Sequence, residues 1–316
     1  MLNQRSDYLV ILVGSYNRKK SLKRALDSIS RGTRGSHEII VVDGGSVDGT
    51  IEYLQSHPGI TPVFQGQMLG LARSFNQVWR EVESKYTCWL SDDTELVDGS
   101  LDLAVEILEK HPEIGMVGLK TRDTQRTGVQ LPYTGGISHY GILNCNHGVL
   151  PTALLRAAGY FNESYHSYLV DPDLTASVLC TGKLVAMTEP IGVLHHREYI
   201  NDENERVRRK REAHKGVPVY LEKFQFLDVP PPLSFQIRSL ILRHLGRVLF
   251  ANAPRDMVRF GLNKRDWRNI AEGRFIKLTD PWNNRRERFH LVQKIPYRLL
   301  SLNTNPLRHL VAPPPK

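Results

Sequence analysis

Between residues 8 and 119, short apolar runs alternate with amphipathic segments, and several runs stop at clusters of Gly, Ser, Asn or Asp. No other feature constrains the fold as much. Residues 8–13 form a run that ends at Gly14, and residues 38–42 form a second, stopped by Asp43-Gly44-Gly45-Ser46. Further runs lie at 61–65, 86–90 and 115–119. Apolar runs of this length, bounded by turn residues, read as buried strands. Between them, Leu22, Ala25, Leu26 and Ile29 share one helical face of 21–30, and helices are predicted over 51–56, 72–84 and 101–110. Asp48 or Thr50 is the expected N-cap of the 51–56 helix. Strands alternating with helices at this spacing imply βαβ units. The predicted class is therefore α/β, a Rossmann-like, mostly parallel sheet with flanking helices.

In such sheets ligands bind outside the carboxyl ends of the strands. Three of those ends carry polar clusters here: Gly14-Ser15-Tyr16-Asn17, Asp43-Gly44-Gly45-Ser46 and Ser91-Asp92-Asp93. Topology alone gathers them at one rim. Residues 120–149 are less regular, rich in Gly, Thr, Tyr and His, and are expected as loops or short strands lining a second site. Helices are predicted over 154–158 and 171–181, with short strands at 184–187 and 191–194 on either side of Pro190.

The rim residues suggest specific chemistry. A carboxylate at Asp43 can accept a hydrogen bond from a nucleobase N–H, and the glycines behind it let the backbone approach a ligand. Taken alone, the same four residues read more readily as a tight turn and helix cap. Asp92 and Asp93 would repel each other unless a cation or hydrogen bonds hold them. Hard carboxylate oxygens beside a diphosphate suit Mg²⁺ or Mn²⁺; the bland reading is a solvated acidic turn. Arg73, at the start of the 72–84 helix, suits phosphate oxygens, although such an arginine is usually a surface one. Asp171 and Asp173 flank Pro172, and one of them can deprotonate an acceptor hydroxyl while also capping the helix. His195 and His196 follow a strand, and alternation sends them to opposite faces, so at most one can be a metal ligand.

Composition excludes other classes. The chain has 316 residues, 41% hydrophobic and 24% charged, which suits a globular protein rather than a disordered one. No apolar run approaches the ~20 residues needed to cross a bilayer. Residues 1–7 are polar and lack a signal-peptide layout. Cys88, Cys145 and Cys180 are scattered with no CxxC pair, so neither a disulfide framework nor a thiolate zinc site is expected, and a reducing, cytoplasmic setting is.

Singly these motifs are weak; their order is not. Ser15-Tyr16-Asn17-Arg18 followed by the stretch 38–50 closely resembles the start of glycosyltransferase family 2. The resemblance continues through 70–76, Ser91-Asp92-Asp93, Gly159-Tyr160-Phe161-Asn162-Glu163 and Asp171-Pro172-Asp173-Leu174 to His195, and so covers residues 8–197. It implies a GT-A fold and inverting transfer from a nucleotide-diphosphate sugar to a hydroxyl. By position, Ser15 and Asn17 would line the nucleotide pocket and Asp43 would bind the base. Arg73 would contact the diphosphate, and Asp92 would sit near ribose or donor sugar. Asp93 would coordinate Mg²⁺ or Mn²⁺, His195 would be a further ligand, and Asp171 would be the base. Two positions depart from the family. Ser91 replaces the first Asp of its Asp-x-Asp motif, and Val170-Asp171 replaces its frequent Glu-Asp pair, which makes Asp171 a better base candidate than Asp173.

Charge is unevenly distributed. Residues 1–199 carry 18 basic and 22 acidic side chains, a net of −4, whereas residues 200–316 carry 24 and 11, a net of +13. The expected organisation is a catalytic domain over 1–199, a linker over 200–232 and a basic, mainly helical region over 233–316. Within the last, residues 233–250 read as a basic amphipathic helix. The excess points to an anionic membrane surface or a lipid-linked acceptor, with polysaccharide, lipopolysaccharide or glycolipid assembly as the setting. No aromatic-rich strand motif or zinc-finger spacing supports nucleic-acid binding. The competing reading is a catalytically silent GT-A module that only binds a nucleotide sugar.

Overall fold

The first apolar run becomes β1 (Leu9–Ser15), and its residues alternate between two separate cores. Val10 and Leu12 enter one cluster, while Leu9, Ile11 and Val13 enter the other. A strand that is apolar on both faces must be covered on both. One layer is α1 (Lys19–Gly32), α2 (Thr50–Gln55) and α4 (Ser100–Lys110), which bury Leu22, Leu26, Leu54 and Leu101. The opposite layer includes α3 (Leu71–Trp79), α5 (Thr152–Ala157) and α6 (Val170–Cys180). The computed structural model describes residues 7–124, 138, 140, 142–196, 203–228, 288–293 and 295–313.

The remaining strands are β2 (His37–Asp43), β3 (Ile60–Phe64), β4 (Tyr86–Ser91), β5 (Thr94–Leu96), β6 (Ile114–Asp123), β7 (Gly148–Pro151), β8 (Leu184–His195) and β9 (Phe289–Gln293). Their order is β3-β2-β1-β4-β7-β6-β8-β5, with β9 also on β8. The block β3-β2-β1-β4 is parallel, as the alternation predicts. Beyond β4 the sheet is mixed, because β7 runs antiparallel to both of its neighbours. Register places Ser15 beside Asp43, and Gly14 beside Ser91, at one end of the parallel block. Gly14 also lets α3 come close: a Cβ there would lie 2.9 Å from the Phe75 ring. Phe75, Trp79 and Phe161 then interlock, with Trp79 edge-on to both partners.

Several expectations are revised. The strands predicted on either side of Pro190 are one strand, β8. Its first half pairs with β9 through Val185–Thr188 and its last residues pair with β5 through Val193–His195. Pro190 falls where the partner changes, so its missing N–H leaves no ladder bond unmade. The Thr188 hydroxyl serves the gap, accepting from the Lys120 N–H at 3.0 Å and donating to the Pro190 carbonyl at 3.0 Å. β6 runs on to Asp123, past the expected end at 119, with buried Lys120 donating to the Glu189 carbonyl at 2.6 Å. α3 stops at Trp79 rather than at 84. Its end tightens through bonds from Glu81 N–H to Val78 and from Val82 N–H to Trp79.

The stretch 200–232, expected as a linker, contains α7 (Glu203–Lys223) and a short 3₁₀ turn (Gln225–Leu227). Tyr220, Phe224 and Leu227 enter the same core as α6, and burying such side chains stabilises a fold by about 1.5–3 kcal/mol each. The far C-terminal residues also return to this body. β9 joins the sheet, α8 (Tyr297–Leu300) adds Leu299 and Leu300 to the core, and Asn305 donates to the Cys180 carbonyl at 3.0 Å. The basic helix expected over 233–250 lies outside the described residues.

Candidate active site at the carboxyl ends of the strands

Three loops meet at the rim, tied by short polar contacts. Asn17 takes a left-handed backbone, φ 52, which Asn tolerates better than most residues. From there its N–H donates to Ser46 Oγ at 2.8 Å and its Oδ1 accepts from the Val47 N–H at 2.7 Å. Asn17 thus laces the loop after β1 to the loop after β2. Asp48 links two helix starts, accepting from the N–H groups of Lys19 (2.9 Å) and Thr50 (3.1 Å). The capping position of α2 itself is Gly49, at φ 86.

Asp43 is fully buried. One of its oxygens accepts from the N–H groups of Gly45 and Ser46, both at 2.9 Å, and the other accepts from Ser46 Oγ at 2.5 Å. The carboxylate therefore builds its own turn. The exposed apolar side chains nearby are Tyr16, Val47, Phe64 and Met68. Arg73 lies 65% exposed on α3, and its ion-pair partner is Glu163, 3.8 Å away. Glu163 also holds Arg80 at 2.7 Å and accepts from Asn76 at 2.9 Å.

Asp92 and Asp93 follow β4 and are both buried. Asp92 accepts from Ser15 Oγ at 3.0 Å, so Ser15 meets the rim through this carboxylate. Arg18 Nη1 sits between the pair, 3.0 Å from Asp92 Oδ1 and 3.4 Å from Asp93 Oδ2. The other oxygen of Asp93 accepts from Ser91 Oγ at 2.7 Å and lies 3.3 Å from His195 Nε2. The two carboxyls titrate in opposite directions. Burial pushes Asp92 up to about 6, with Asp93 adding to the rise and Arg18 and Ser15 opposing it. Burial would also raise Asp93, but His195, Ser91 and Arg18 together hold it well below the usual carboxylate range.

β5 and β8 place the two histidines. Thr94 pairs with His195, so His195 turns toward Asp93. His196 turns the other way, with Nε2 3.1 Å from Glu95 and Nδ1 3.0 Å from Thr124. Two donors each ~2.1 Å from one ion subtend about 100° when 3.3 Å apart, so Asp93 and His195 fit adjacent ligand positions. Among the described residues no cluster of three His, Cys, Asp or Glu side chains is formed. Mg²⁺ needs only one or two carboxylates and fills its shell with water and phosphate oxygens, so this donor set suits an ion that a diphosphate helps to hold.

Asp171 and Asp173 begin α6 but have different surroundings. The capping position is Leu169, at φ 72, so Asp171 is not the cap expected from the sequence. Asp173 is fully buried and tied to Lys223 Nζ (2.5 Å), Tyr165 Oη (3.0 Å) and Ser177 Oγ (3.2 Å). Asp171 keeps one close side-chain partner, Asn144 Nδ2, at 2.6 Å. Burial pushes its carboxyl up to about 6, and Asn144 partly opposes the rise.

The segment 144–147 connects the two regions. Asn144 bonds Asp171 at one end, and at the other the His147 ring packs edge-on against the His195 ring, with centroids 6.5 Å apart. His147 Nδ1 is buried without a hydrogen-bond partner. Burial, with His195 adding, pushes its pKa down to about 4 and leaves the ring neutral. Arg18, Asn144 and His147 were not singled out from sequence. Arg18 directly follows a named strand-end cluster, and that was the signal available; the other two sit in an irregular stretch without periodicity.

Comparison with known proteins bears on the family and the fold. The family model described as glycosyl transferase family 2 matches residues 10–169. An uncharacterised glycosyltransferase of Haemophilus influenzae is 28% identical over 110 residues, and one of Nostoc sp. is 25% identical over 112. These alignments cover 34% of this chain and 37% and 34% of the relatives, so only about a third of each curated relative is matched. Among solved structures, TarS of S. aureus (residues 1–349, in complex with UDP-GlcNAc) superposes with a TM-score of 0.51 at 15% identity, covering 79% of this chain and 77% of that one. The mannosyltransferase PcManGT from Pyrobaculum calidifontis, in complex with GDP-Man and Mn²⁺, gives 0.51 at 18% identity, covering 86% and 87%. At these identities the likeness is one of fold, and the fold is GT-A.

Proposed function

The chain belongs to glycosyl transferase family 2, and from that premise we propose that it is an inverting glycosyltransferase using a nucleotide-diphosphate sugar. The observation that carries this is the juxtaposition of an ionised carboxylate with an imidazole, Asp93 and His195, and a carboxylate of raised pKa, Asp171, joined by one short segment. Binding of UDP-GlcNAc by TarS and of GDP-Man with Mn²⁺ by PcManGT supports a donor of this class.

In this reading Asp93 and His195 hold Mg²⁺ or Mn²⁺. Such an ion, when bound, would neutralise the departing diphosphate. The remaining work belongs to the chain. Asp171, with its pKa near neutrality, accepts the proton of the acceptor hydroxyl as that oxygen attacks the anomeric carbon. The nucleoside diphosphate departs from the opposite face, so one in-line displacement inverts the configuration. Asn144 fixes the orientation of the Asp171 carboxyl. Asn17 and Ser15 shape the nucleotide side, and Asp43 preforms the turn against which the base lies. Arg73 is assigned to the diphosphate and would exchange its exposed contact with Glu163 for phosphate oxygens. The acceptor is a glycan or a lipid-linked sugar, a reading supported by the net +13 of residues 200–316. Among the described residues no helix is long and apolar enough to cross a membrane.

A thermal-shift series with UDP-, GDP-, dTDP- and CMP-sugars, with and without Mn²⁺, tests the donor site. One nucleotide class should raise Tm by several degrees only when the metal is present. No response to any of them would remove the assignment.

A further inference from the structure

Arg18 occupies the point where the two rim carboxylates meet. Its position is built in, not a surface accident. Asn17, laced to the β2 loop, sets the direction of the chain, and the Arg18 carbonyl then accepts from the Leu22 N–H at 2.9 Å as α1 begins. The side chain is 29% exposed, while the carboxylates it touches are each 6% exposed. Asp93 is thereby divided: Oδ2 faces a guanidinium, and Oδ1 faces Ser91 and His195.

A divalent ion on Asp93 would share one carboxylate with that guanidinium. Like charges so close, in a partly buried site, oppose each other strongly. An incoming diphosphate removes the conflict, because it offers anionic oxygens to both cations, and a guanidinium fork suits phosphate. We propose that Arg18 is a tethered counter-cation: it holds the Asp92–Asp93 pair before substrate arrives, opposes binding of a free divalent ion, and transfers to the phosphate oxygens when ion and nucleotide bind together. Arg18 thus sets a positive coupling between metal and nucleotide, so that the metal enters with the donor and not ahead of it. This role rests on the donor-site reading above.

The test is a titration of the full chain with Mn²⁺, following free Mn²⁺ by electron paramagnetic resonance, without nucleotide and with UDP or GDP. Arg18→Met keeps much of the apolar stem and removes the charge. It should bind Mn²⁺ alone roughly 10-fold more tightly than wild type, within the usual range of coupling between sites. The same variant should bind the nucleotide more weakly in the presence of Mn²⁺, so the coupling collapses toward unity. Arg18→Lys should retain most of the coupling. A gain in ion affinity at one site per chain, with the thermal unfolding transition retained, separates this effect from simple damage. Equal Mn²⁺ affinity in wild type and Arg18→Met, or unchanged coupling, overturns the proposal. If wild type binds neither UDP nor GDP with Mn²⁺, the donor-site reading itself falls and takes the role of Arg18 with it.

Discussion

The molecule contains two pairs of neighbouring aspartates and treats them in opposite ways. Asp92 and Asp93, after β4, are held by cations or cation-capable groups, Arg18 and His195. At the start of α6, Lys223 serves Asp173, while the closest side-chain partner of Asp171 is the neutral amide of Asn144. Within each pair one carboxyl is kept ionised or fully bonded and the other is pushed up to about 6. The difference is chemical. A carboxylate kept ionised beside an imidazole is fitted to hold a cation, whereas one buried beside only an amide is fitted to take a proton.

The contrast is broken most directly at Asp171. Replacing it with Asn should lower turnover by ~10²–10⁴-fold while leaving donor binding near wild type, measured by initial rates and by nucleotide-sugar titration. In the wild type, turnover should rise with pH through about 6, since the base works only when deprotonated. The residual rate of the variant should lack that limb. Full activity in Asp171→Asn would place the base elsewhere.

The next effect concerns the bonded partner. Lys223→Met leaves the buried Asp173 carboxylate without its cation, and such a loss costs about 3 kcal/mol. Urea denaturation should report it, and Lys223→Met with Asp173→Asn should recover part of the loss. If the single variant is neutral, α7 does not anchor α6 in the way the contact suggests.

The smallest effect sharpens the comparison within α6. The folded-state pKa of Asp171 lies above its ordinary 3.8, so the fold disfavours the charged form. Stability therefore falls as pH rises from about 4 to about 6 and is level above that. Asp171→Asn does not titrate, so its stability relative to wild type should be about 2 kcal/mol higher at pH 7.5 than at pH 4.5. An equal difference at both pH values would show that burial does not govern this carboxyl.

Much of this was legible in the sequence, and the remainder was hidden for identifiable reasons. β1, β2 and β4 announced themselves because apolar runs stop at Gly14, Asp43 and Ser91, and the rim followed from their parallel order. β8 did not, because Pro190 looks like a break until the change of partner from β9 to β5 is known. β9 is five residues in a basic stretch, and its place depends on a strand about a hundred residues earlier. At the site, His195 lies 3.3 Å from Asp93, and Asp171 bonds Asn144 at 2.6 Å. At Asp43 the tight turn that the four residues suggest is present, with both carboxylate oxygens bonded within it. The roles of Arg18 and Asn144 depend on long-range contacts, which no local pattern encodes.

The pairing of β9 with β8 bears on how this protein could be handled. A fragment cut at residue 199, where the charge changes sign, would leave Val185–Thr188 as an open strand with unpaired N–H and C=O groups. Such an edge is a template for other chains. It would also uncover the face on which Tyr220, Phe224 and Leu299 pack. The family match ends at residue 169, but the sheet and the core draw on residues as far along the chain as β9 and Leu307.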